Sequence, residues 1–495
     1  MRLGLRQSSV QFCGGVTVRC PFDGTSESIV MDEALPRVVP PAKTPGLFAL
    51  LRLSARNPIE VWPREVYEED LFHLPGPAGG LIFLSAPELV QEALVSSVNA
   101  FGRSKEFLDT IRPLVGNSIV ASDGPRWRFQ RSFCAPLFRP EQIDKFSQGM
   151  LDASVEAAER LIASSEHKPI SLLAEMMHLS LTSIAKTMLS DQAMLNSERV
   201  IGAISNYLKE VPKAALYSTL GLPKWILRPG KKSQLRARDF LHIEMKRIID
   251  ERKARGLETG RCPDDLLDLL LSAEKQAECG AFGEKDVLHN LLTFVAAGYE
   301  TTGVAMAWTI YLVSLHPETE NLILAELDEV TRGEPIKPCH LNRLVYLRQV
   351  VSESLRLYPP IAAMARRVVE PVTIGGNRLD KNTTVMISPY VIHRHRKLWD
   401  YPDHFNPDNF SPSRAAGRHR YAYLPFGAGQ RICIGMSFAM TEMLIAVGTL
   451  VRTLRFSSTA IRPPNLQLRI ALHPSDGLPM RATRRGQVNH DLKAD

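Results

Sequence analysis

Apolar residues recur at helical spacing through most of this chain, and the longest apolar stretch covers residues 288–313. His289, Asn290 and Glu300 interrupt that stretch, whereas a membrane span needs about 20 predominantly apolar residues. The stretch therefore predicts a long buried helix, at residues 286–316. The same helical period predicts further helices at 125–138, 150–163, 172–190, 232–257, 319–331 and 436–456.

A smaller part of the chain has the pattern of strands. Residues 368–391 are rich in β-branched side chains, and the turn Gly375-Gly376 separates two apolar runs, Val372–Ile374 and Thr384–Ile387. Residues 466–482 predict a hairpin, and residues 101–123 predict an irregular loop over a pocket. The expected fold is mainly α with a smaller β-rich region.

Composition narrows the class of protein. The chain has 495 residues, 44% of them hydrophobic and 23% charged, as in a soluble globular protein. The net charge is +7, but no run of Lys and Arg is dense enough to predict nucleic-acid binding; the charge suits an acidic protein partner or anionic lipid. Seven cysteines without a C-x-x-C pair argue against structural zinc and favour a reducing compartment.

The first 44 residues are expected to be a tail or a leader. Residues 1–20 contain arginines and serines and no acid, so a transit peptide is an alternative to a plain tail. The expected location is the cytoplasm, or an organelle if the leader is a transit peptide. No transmembrane segment is predicted, although the apolar residues 46–53 could touch a membrane surface.

Residues 426–435, F-G-A-G-Q-R-I-C-I-G, carry the most specific chemical signal. A thiolate is a strong ligand for iron, and positive charge from Arg431 together with backbone N–H groups is expected to lower the pKa of Cys433. Glycines at 427, 429 and 435 allow the backbone to pass close to a flat cofactor. The alternative is a buried free cysteine in a Gly-rich turn.

The long helix contains a polar motif, A-G-Y-E-T-T at residues 297–302. A glycine inside a helix costs about 1 kcal/mol relative to alanine, and an acid in an apolar stretch costs more. Glu300 and Thr301 are therefore candidates for proton handling, with small residues beside them leaving room for a ligand. The alternative is a helix kink with a satisfied threonine.

Three further motifs contain charged residues that are candidates for binding or structural roles. Glu353 and Arg356 share a helix face and are followed by L-Y-P-P; alone, such a pair is usually a surface ion pair. Trp127 and Arg131 also share a face, so that both could donate to one anionic group. Arg366 follows the Pro-Pro turn; for each arginine the alternative is a solvated surface charge.

Residues 426–435, here called the Cys loop, match F-G-x-G-x-R-x-C-x-G at every fixed position. This loop resembles the haem-thiolate loop of the cytochrome P450 family. The other motifs resemble those of the family and follow in the family's order. The resemblance covers residues 45–485 and implies a single domain with the cytochrome P450 fold, followed by a tail at 486–495. It implies haem b between the long central helix and the helix behind the Cys loop.

The resemblance also implies roles for individual residues. Cys433 would be the axial ligand of the haem iron. Thr301 would hydrogen-bond the bound dioxygen, and Glu300 would relay protons from solvent. The implied haem contacts are Trp127, Arg131, Ala297, Arg366 (with Arg367 as the alternative), Phe426, Arg431 and Gly435.

Two further sets of residues follow from the resemblance. Glu353 and Arg356 would form a buried structural pair whose third partner in the family is an arginine; here Asn409 stands at that position, and its amide could still hydrogen-bond. The implied substrate pocket consists of Ile111, Leu114, Phe294, Ala297, Ile361, Ala362 and the residues on to Met364.

The implied activity is a monooxygenase that hydroxylates a small lipophilic substrate with O2, with a fatty-acid-like or terpenoid-like substrate favoured. No reductase domain is fused, so a ferredoxin with its reductase, or another separate donor, would supply electrons and dock on the basic side near Arg128, Arg139 and Arg431. Two alternatives remain open: a family member that rearranges peroxides without O2, and a haem-based sensor or carrier without turnover.

Overall fold

The computed structural model describes residues 35–41, 46, 52–54, 56–75, 80–165, 168–190, 197–219, 222, 228–259, 265–276 and 282–486. The expectations for the two tails and for the apolar residues 46–53 lie largely outside these residues. The description below is of the compact unit Pro36–Asp495. No helix among the described residues is long and apolar enough to cross a membrane.

Helices form most of the described chain. In chain order they are α1 Pro87–Gln91, α2 Lys105–Val115, α3 Gly124–Cys134, α4 Pro140–Ser165, α5 Leu172–Met188, α6 Ser197–Lys209, α7 Val211–Thr219, α8 Lys231–Thr259, α9 Leu266–Gln276, α10 Glu284–Leu315, α11 Pro317–Thr331, α12 Pro338–Leu341, α13 Val345–Leu357, α14 Pro389–Ile392, α15 Pro412–Ala415 and α16 Met436–Thr453. The helices predicted from periodicity are confirmed as α3, α4, α5, α8, α10, α11 and α16, with shifted ends.

The strands form small sheets at the edge of the helical body. They are β1 Leu71–Leu74, β2 Leu81–Leu84, β3 Phe101–Arg103, β4 Ile170–Ser171, β5 Met364–Val368, β6 Val372–Ile374, β7 Asn377–Leu379, β8 Thr384–Ile387, β9 Leu454–Ser458, β10 Leu466–Leu468, β11 Leu472–Pro474 and β12 Pro479–Arg484. One sheet has the order β1-β2-β8-β5-β3 and another has β4-β12-β9. Two hairpins, β6–β7 and β10–β11, complete the β structure.

The long helix α10 runs through the core, as its apolar sequence predicts. At its start, the Asp286 carboxylate accepts a hydrogen bond from the Gly283 N–H, which satisfies a free donor near the first turn. Further along, α10 lies against α5 at Gly303, where a Cβ would come within 2.8 Å of the Met177 Cα. The two backbones can therefore approach closely only because this position has no side chain.

Three element predictions were wrong in part. Residues 101–123 are not irregular, because they contain β3 and α2. The Ser104 hydroxyl caps α2 by accepting from the Phe107 N–H at 3.2 Å, and the interior Pro113 hid this helix signal in the sequence. The helix predicted to reach residue 456 ends at Thr453, where Leu454 and Phe456 alternate into β9. The hairpin predicted at 466–482 is β10–β11 alone, since β12 pairs with β9 and β4.

The contact at Gly303 makes a stability prediction. We expect Gly303→Ala to destabilise the protein by about 1–3 kcal/mol, because the new methyl group meets the Met177 backbone, which cannot rotate away. Gly202→Ala is the matched control: it is also inside a helix, but nothing lies within 4 Å of its Cβ position, so alanine should be neutral or stabilising. Urea denaturation of both variants measures the effect, and equal midpoints would contradict the prediction.

Candidate active site

The Cys loop turns sharply before α16. Gly427 and Gly429 have φ values of 72° and 68°, in the left-handed region that favours glycine. A Cβ at Gly429 would lie 2.4 Å from the Leu94 carbonyl oxygen, so this position also needs a glycine for space. The Cys433 N–H donates to the Phe426 carbonyl at 2.9 Å, which closes the loop and places the thiol just before the helix.

The expectation that its surroundings lower the pKa of Cys433 is wrong in its net direction. Burial is the largest influence and raises the pKa of this thiol, while the Gly435 backbone N–H and the charge of Arg131 lower it. The backbone N–H acts as expected, but the cation that lowers the pKa is Arg131 rather than Arg431, and burial outweighs both. A coordinating metal ion would offset the effect of burial, because it deprotonates a bound thiol outright.

Side-chain exposure indicates an internal space between α10 and the Cys loop. Ala297 is exposed and Thr301 is half-buried, although most of α10 around them is buried. The Cys433 side chain is exposed too, while protein atoms surround it at longer range. Phe138 connects the two sides: its ring stacks on Phe294 at 5.7 Å, and its Cε1 lies 3.7 Å from the Cβ position of Gly435.

Four arginines gather beside this loop. Arg103 and Arg366 face each other as register partners in β3 and β5. Burial, together with the charges of Arg103 and Arg431, lowers the pKa of Arg366 to about 10. Burial also lowers the pKa of Arg431 to about 10, again with Arg103 contributing. The cluster, completed by Arg131, is therefore poor in compensating negative charge.

Trp127 and Arg131 of α3 meet Arg431 of the Cys loop in this cluster. The Arg431 guanidinium lies 3.9 Å from the ring centroid of Trp127 and pairs with Asp123. Arg131 donates to the Ile432 carbonyl at 2.9 Å, next to the cysteine. The i, i+4 spacing of Trp127 and Arg131 thus places both on the face of α3 that meets the Cys loop.

A ligand with two negative charges fits this cluster of four arginines. Asp123 is the acidic side chain that raises the pKa values of Arg103, Arg366 and Arg431. Among the described residues, the buried Nε of Arg103 has no hydrogen-bond partner. Buried donors and charges without partners are costly, so the two propionates of haem suit this set. The residues present therefore fit the cofactor that the resemblance implies.

The sequence analysis missed Arg103 and left open whether Arg366 or Arg367 belongs to the arginine cluster. Arg103 lies in β3, which had been predicted as loop, so its pairing with Arg366 could not be foreseen. Successive residues of a strand point to opposite faces. Arg366 faces the cluster, while Arg367 donates to the Asn382 side chain at the surface. The structure favours Arg366.

The pair of Glu353 and Arg356 is fully buried and bidentate, with both N···O distances 2.7 Å. Asn409 donates its amide to Glu353 at 3.2 Å, as expected for this position, and the Asn406 N–H donates at 2.8 Å. The remaining guanidinium hydrogens go to backbone carbonyls, those of His393, Pro402 and His404. This network satisfies a charge pair that would otherwise be costly to bury.

His393 connects this network to the Cys loop, and the sequence analysis missed it. Its Nε2 accepts from the Leu424 N–H at 2.7 Å, so Nδ1 carries the proton and donates to the Arg356 carbonyl at 3.2 Å. The Leu424 carbonyl in turn accepts from the Gly427 N–H at 3.0 Å. Burial, then the Arg356 charge, holds the pKa of His393 well below its usual range, so the ring is neutral.

The acid and the alcohol of α10 have separate partners. Thr301 donates to the Ala297 carbonyl one turn earlier, at 2.7 Å. Glu300 is buried, and its Oε1 lies 2.8 Å from Nε2 of His473 on β11. His473 is a second residue that the sequence analysis missed, because nothing in the sequence shows that the C-terminal hairpin reaches α10.

The residues expected in the pocket fall into two groups. Ala297, Ile361 and the residues 363–364 are at least partly exposed. The side chains of Ile111, Leu114, Phe294 and Ala362 are buried. The Ala362 carbonyl accepts from the Ser388 hydroxyl at 2.7 Å, as a core residue does. Their role in binding substrate stays a prediction.

Comparison with known proteins gives a consistent result. A family model described as Cytochrome P450 matches residues 45–478. Cyclooctatin synthase of Streptomyces melanosporofaciens is 30% identical over 84% of this chain and 90% of its own length. Cyclooctat-9-en-7-ol 5-monooxygenase of the same organism is 33% identical over 74% and 77%. Pentalenene oxygenase of Streptomyces avermitilis is 30% identical over 78% and 86%.

The arginine cluster predicts opposite effects in the two forms of the protein. We expect Arg366→Gln to release haem faster than wild type by about tenfold, one lost charge contact, yet to leave the apoprotein as stable or more stable, because a repelled buried cation is gone. The rate of haem transfer to apomyoglobin and urea denaturation of the apoprotein measure the two effects. Arg367→Gln, on the solvent side of the same strand, should change neither; equal haem release in both variants would refute the assignment.

His393 predicts a specific pH dependence of stability. Because its folded-state pKa lies below the unfolded value of 6.5, the unfolded chain binds an extra proton as the pH falls below 6.5, and stability is lost there. We expect His393→Gln to be less stable than wild type by about 1–3 kcal/mol at pH 7.5, but to lose stability less steeply between pH 6.5 and 5.5, by about 1.4 kcal/mol per pH unit. Urea denaturation at several pH values gives both quantities, and parallel curves would contradict the prediction.

Proposed function

Because the chain belongs to the cytochrome P450 family and is a haem-thiolate monooxygenase, we propose that it inserts one oxygen atom from O2 into a terpenoid-like substrate. We propose further that the electrons come from a separate donor. The observation that carries this is that Cys433, and Ala297 and Thr301 on α10, are accessible in otherwise packed surroundings, with Phe138 in contact with both α10 and the Cys loop. A cysteine that can ligate iron and a polar group on the helix across from it suit this reaction.

We propose that Cys433 is the axial ligand, with the haem held between α10 and α16. When bound, haem with a thiolate ligand supplies the activation of O2 by cleavage of the O–O bond. Arg103, Arg131, Arg366 and Arg431 would bind the propionates through charge-assisted hydrogen bonds. The glycines of the Cys loop would allow the backbone to lie against the ring.

Thr301 and Glu300 would handle protons on the opposite side. The Thr301 hydroxyl is half-buried on the cavity side of α10 and now donates to the Ala297 carbonyl. Rotation of that hydroxyl would let it hydrogen-bond a ligand in the cavity. Glu300 is buried rather than open to solvent, so the expected direct relay from solvent has no support from its position. Its proton exchange would need a further group.

The substrate proposal rests on relatives and on the lining. Two relatives are named for oxidising cyclooctat-9-en-7-ol and pentalenene. The partly exposed residues at the cavity, Ala297, Ile361 and those at 363–364, are apolar. An apolar cavity selects lipophilic molecules, and few polar groups are needed to orient a compact cyclic hydrocarbon or alcohol.

The docking face for the electron donor would carry Arg128 of α3 and Arg139, which follows that helix; both are exposed. Arg431, expected on the same face, instead packs on Trp127 and pairs with Asp123, so it contributes little surface charge. Exposed cations near the haem edge suit an acidic partner such as a ferredoxin, since complementary charge speeds association.

A reconstituted reaction tests the proposed function. We expect the holoenzyme, with a ferredoxin, its reductase, NADPH and 18O2, to convert a cyclic terpene alcohol to a product carrying one 18O atom, faster than it converts a long-chain fatty acid. A faster reaction with the fatty acid would reverse the substrate assignment. Tight haem binding without any product across both classes would favour the sensor or carrier alternative.

The two cysteines near Arg131 provide a matched control for this experiment. The reduced wild-type protein should give a red-shifted Soret band with carbon monoxide, and Cys433→Ala should lack it and form no product. Cys134→Ala should keep both, because Cys134 is buried and burial raises its pKa to about 12, which makes it a poor ligand. A red-shifted band in Cys433→Ala would refute the ligand assignment.

A further inference from the structure

We propose that His473 is the positioning residue of the proton-handling site: it fixes the Glu300 carboxylate and exchanges a proton with it. This inference rests on the proposed function. In the exchange, an imidazolium passes its Nε2 proton to the Glu300 carboxylate, which leaves a neutral imidazole and a carboxylic acid. The reverse transfer restores the starting pair, so the two groups share one proton. No electron moves, and no other reactant is needed.

The distance and the burial of the two groups carry the proposal. Oε1 of Glu300 and Nε2 of His473 are 2.8 Å apart, and both side chains are almost fully buried. A buried carboxylate without a partner is costly, and its protonation then depends on the group it contacts. Glu300 sits one residue before the threonine that faces the cavity. Among the residues that the structure describes, His473 is the side chain in hydrogen-bond contact with Glu300.

The backbone next to His473 is anchored to two other elements. The Trp308 indole N–H donates to the Leu472 carbonyl at 2.9 Å, and the Leu472 N–H donates to the Pro360 carbonyl at 2.9 Å. Trp308 and Glu300 lie on the same helix, α10, about two turns apart. These two bonds set the register of β11 against α10, so the imidazole meets the carboxylate without depending on a flexible loop.

Other groups near the pair are consistent with a charged site. Tyr299 precedes Glu300, and its hydroxyl lies 3.3 Å from the Ser205 hydroxyl. Burial raises the pKa of Tyr299, and the charge of Glu300 raises it further, while Arg469 lowers it. Arg469 belongs to the same C-terminal hairpin and is bonded to Gln467, the register partner of His473. Tyr299 and Arg469 are therefore two further titratable groups close to the pair.

The same contact separates the acid from the alcohol. Thr301 donates to Ala297 while Glu300 is held by the hairpin, so the two motif residues do not bond to each other. Without the imidazole, the carboxylate would be free to change rotamer or to become protonated. The position of Glu300, and with it the timing of proton delivery, would then depend on a residue about 170 positions away in sequence.

A nuclear magnetic resonance measurement tests the pairing independently of turnover. The sample is the holoprotein in its diamagnetic reduced, carbon monoxide-bound form, with 15N-labelled histidine; His473→Gln assigns the signal. We expect a downfield His473 Hε2 signal that exchanges slowly with water and that moves upfield in Glu300→Gln, because the hydrogen bond then ends on a neutral amide oxygen instead of a carboxylate. His340→Gln is the control that should leave the His473 signal unchanged. A His473 signal that is the same in wild type and in Glu300→Gln would overturn the proposal.

Coupling of electron use to product formation tests the proposed role. We expect His473→Phe and Glu300→Gln each to lower product per NADPH by about 10-fold or more, and the double variant to lose no more than either single one. His473→Gln keeps a hydrogen-bond donor but cannot pass on a proton. This variant should bind substrate as wild type does, yet its product per NADPH should stay as low as that of His473→Phe. Wild-type coupling in His473→Phe would overturn the role.

The outcomes separate this inference from the proposed function. If wild type gives no product from any substrate, the proposed function fails, while the nuclear magnetic resonance signal of His473 still decides whether the pair exists. If wild type gives product and His473→Phe merely misfolds, that variant loses the red-shifted carbon monoxide band, and His473→Gln together with the resonance measurement carries the test. A normal band with lost coupling in His473→Phe supports positioning.

Discussion

The buried pair of Glu353 and Arg356 is the interaction on which the rest of the site depends. Two charges in the core are tolerated because every hydrogen-bonding atom of the pair has a partner nearby, including the Asn409 amide. Those partners are mostly backbone carbonyls from the irregular segment after β8. A charge pair in one helix therefore organises a long stretch that has little regular structure of its own. Through His393 this order extends to the first glycine of the Cys loop.

Arg356 and Arg366 differ in how their positive charge is compensated. Around Arg356, neutral acceptors and one carboxylate satisfy a single cation. Around Arg366, several cations crowd together, and burial lowers their pKa values. The first arrangement is complete within the protein, and a bound dianion would complete the second. In the proposed site, stability and cofactor binding would thus fall to separate groups of residues.

Sequence reasoning recovered those parts of the molecule that depend on local chemistry. The Cys loop, the ExxR pair and the long helix can be identified because spacing along the chain determines which side chains meet. Arg103, His393 and His473 could not be found in this way, because each acts through a partner that is distant in sequence. For Cys433 the sequence pointed to Arg431 as the charge that lowers its pKa, whereas in the structure Arg131 has this effect, and burial, which depends on the whole fold, reversed the net direction.

From the sequence, Arg431 was expected both to contact the haem and to lie on the docking surface for the electron donor. Its inward orientation in the structure separates these two roles. Because its guanidinium is used by Trp127 and Asp123, the outer surface near the thiol gets its charge from other arginines. Those exposed residues can change without disturbing the groups that hold the cofactor. Lineages of this protein could therefore adapt to a new electron carrier by surface substitutions alone, while the interior chemistry stays constant.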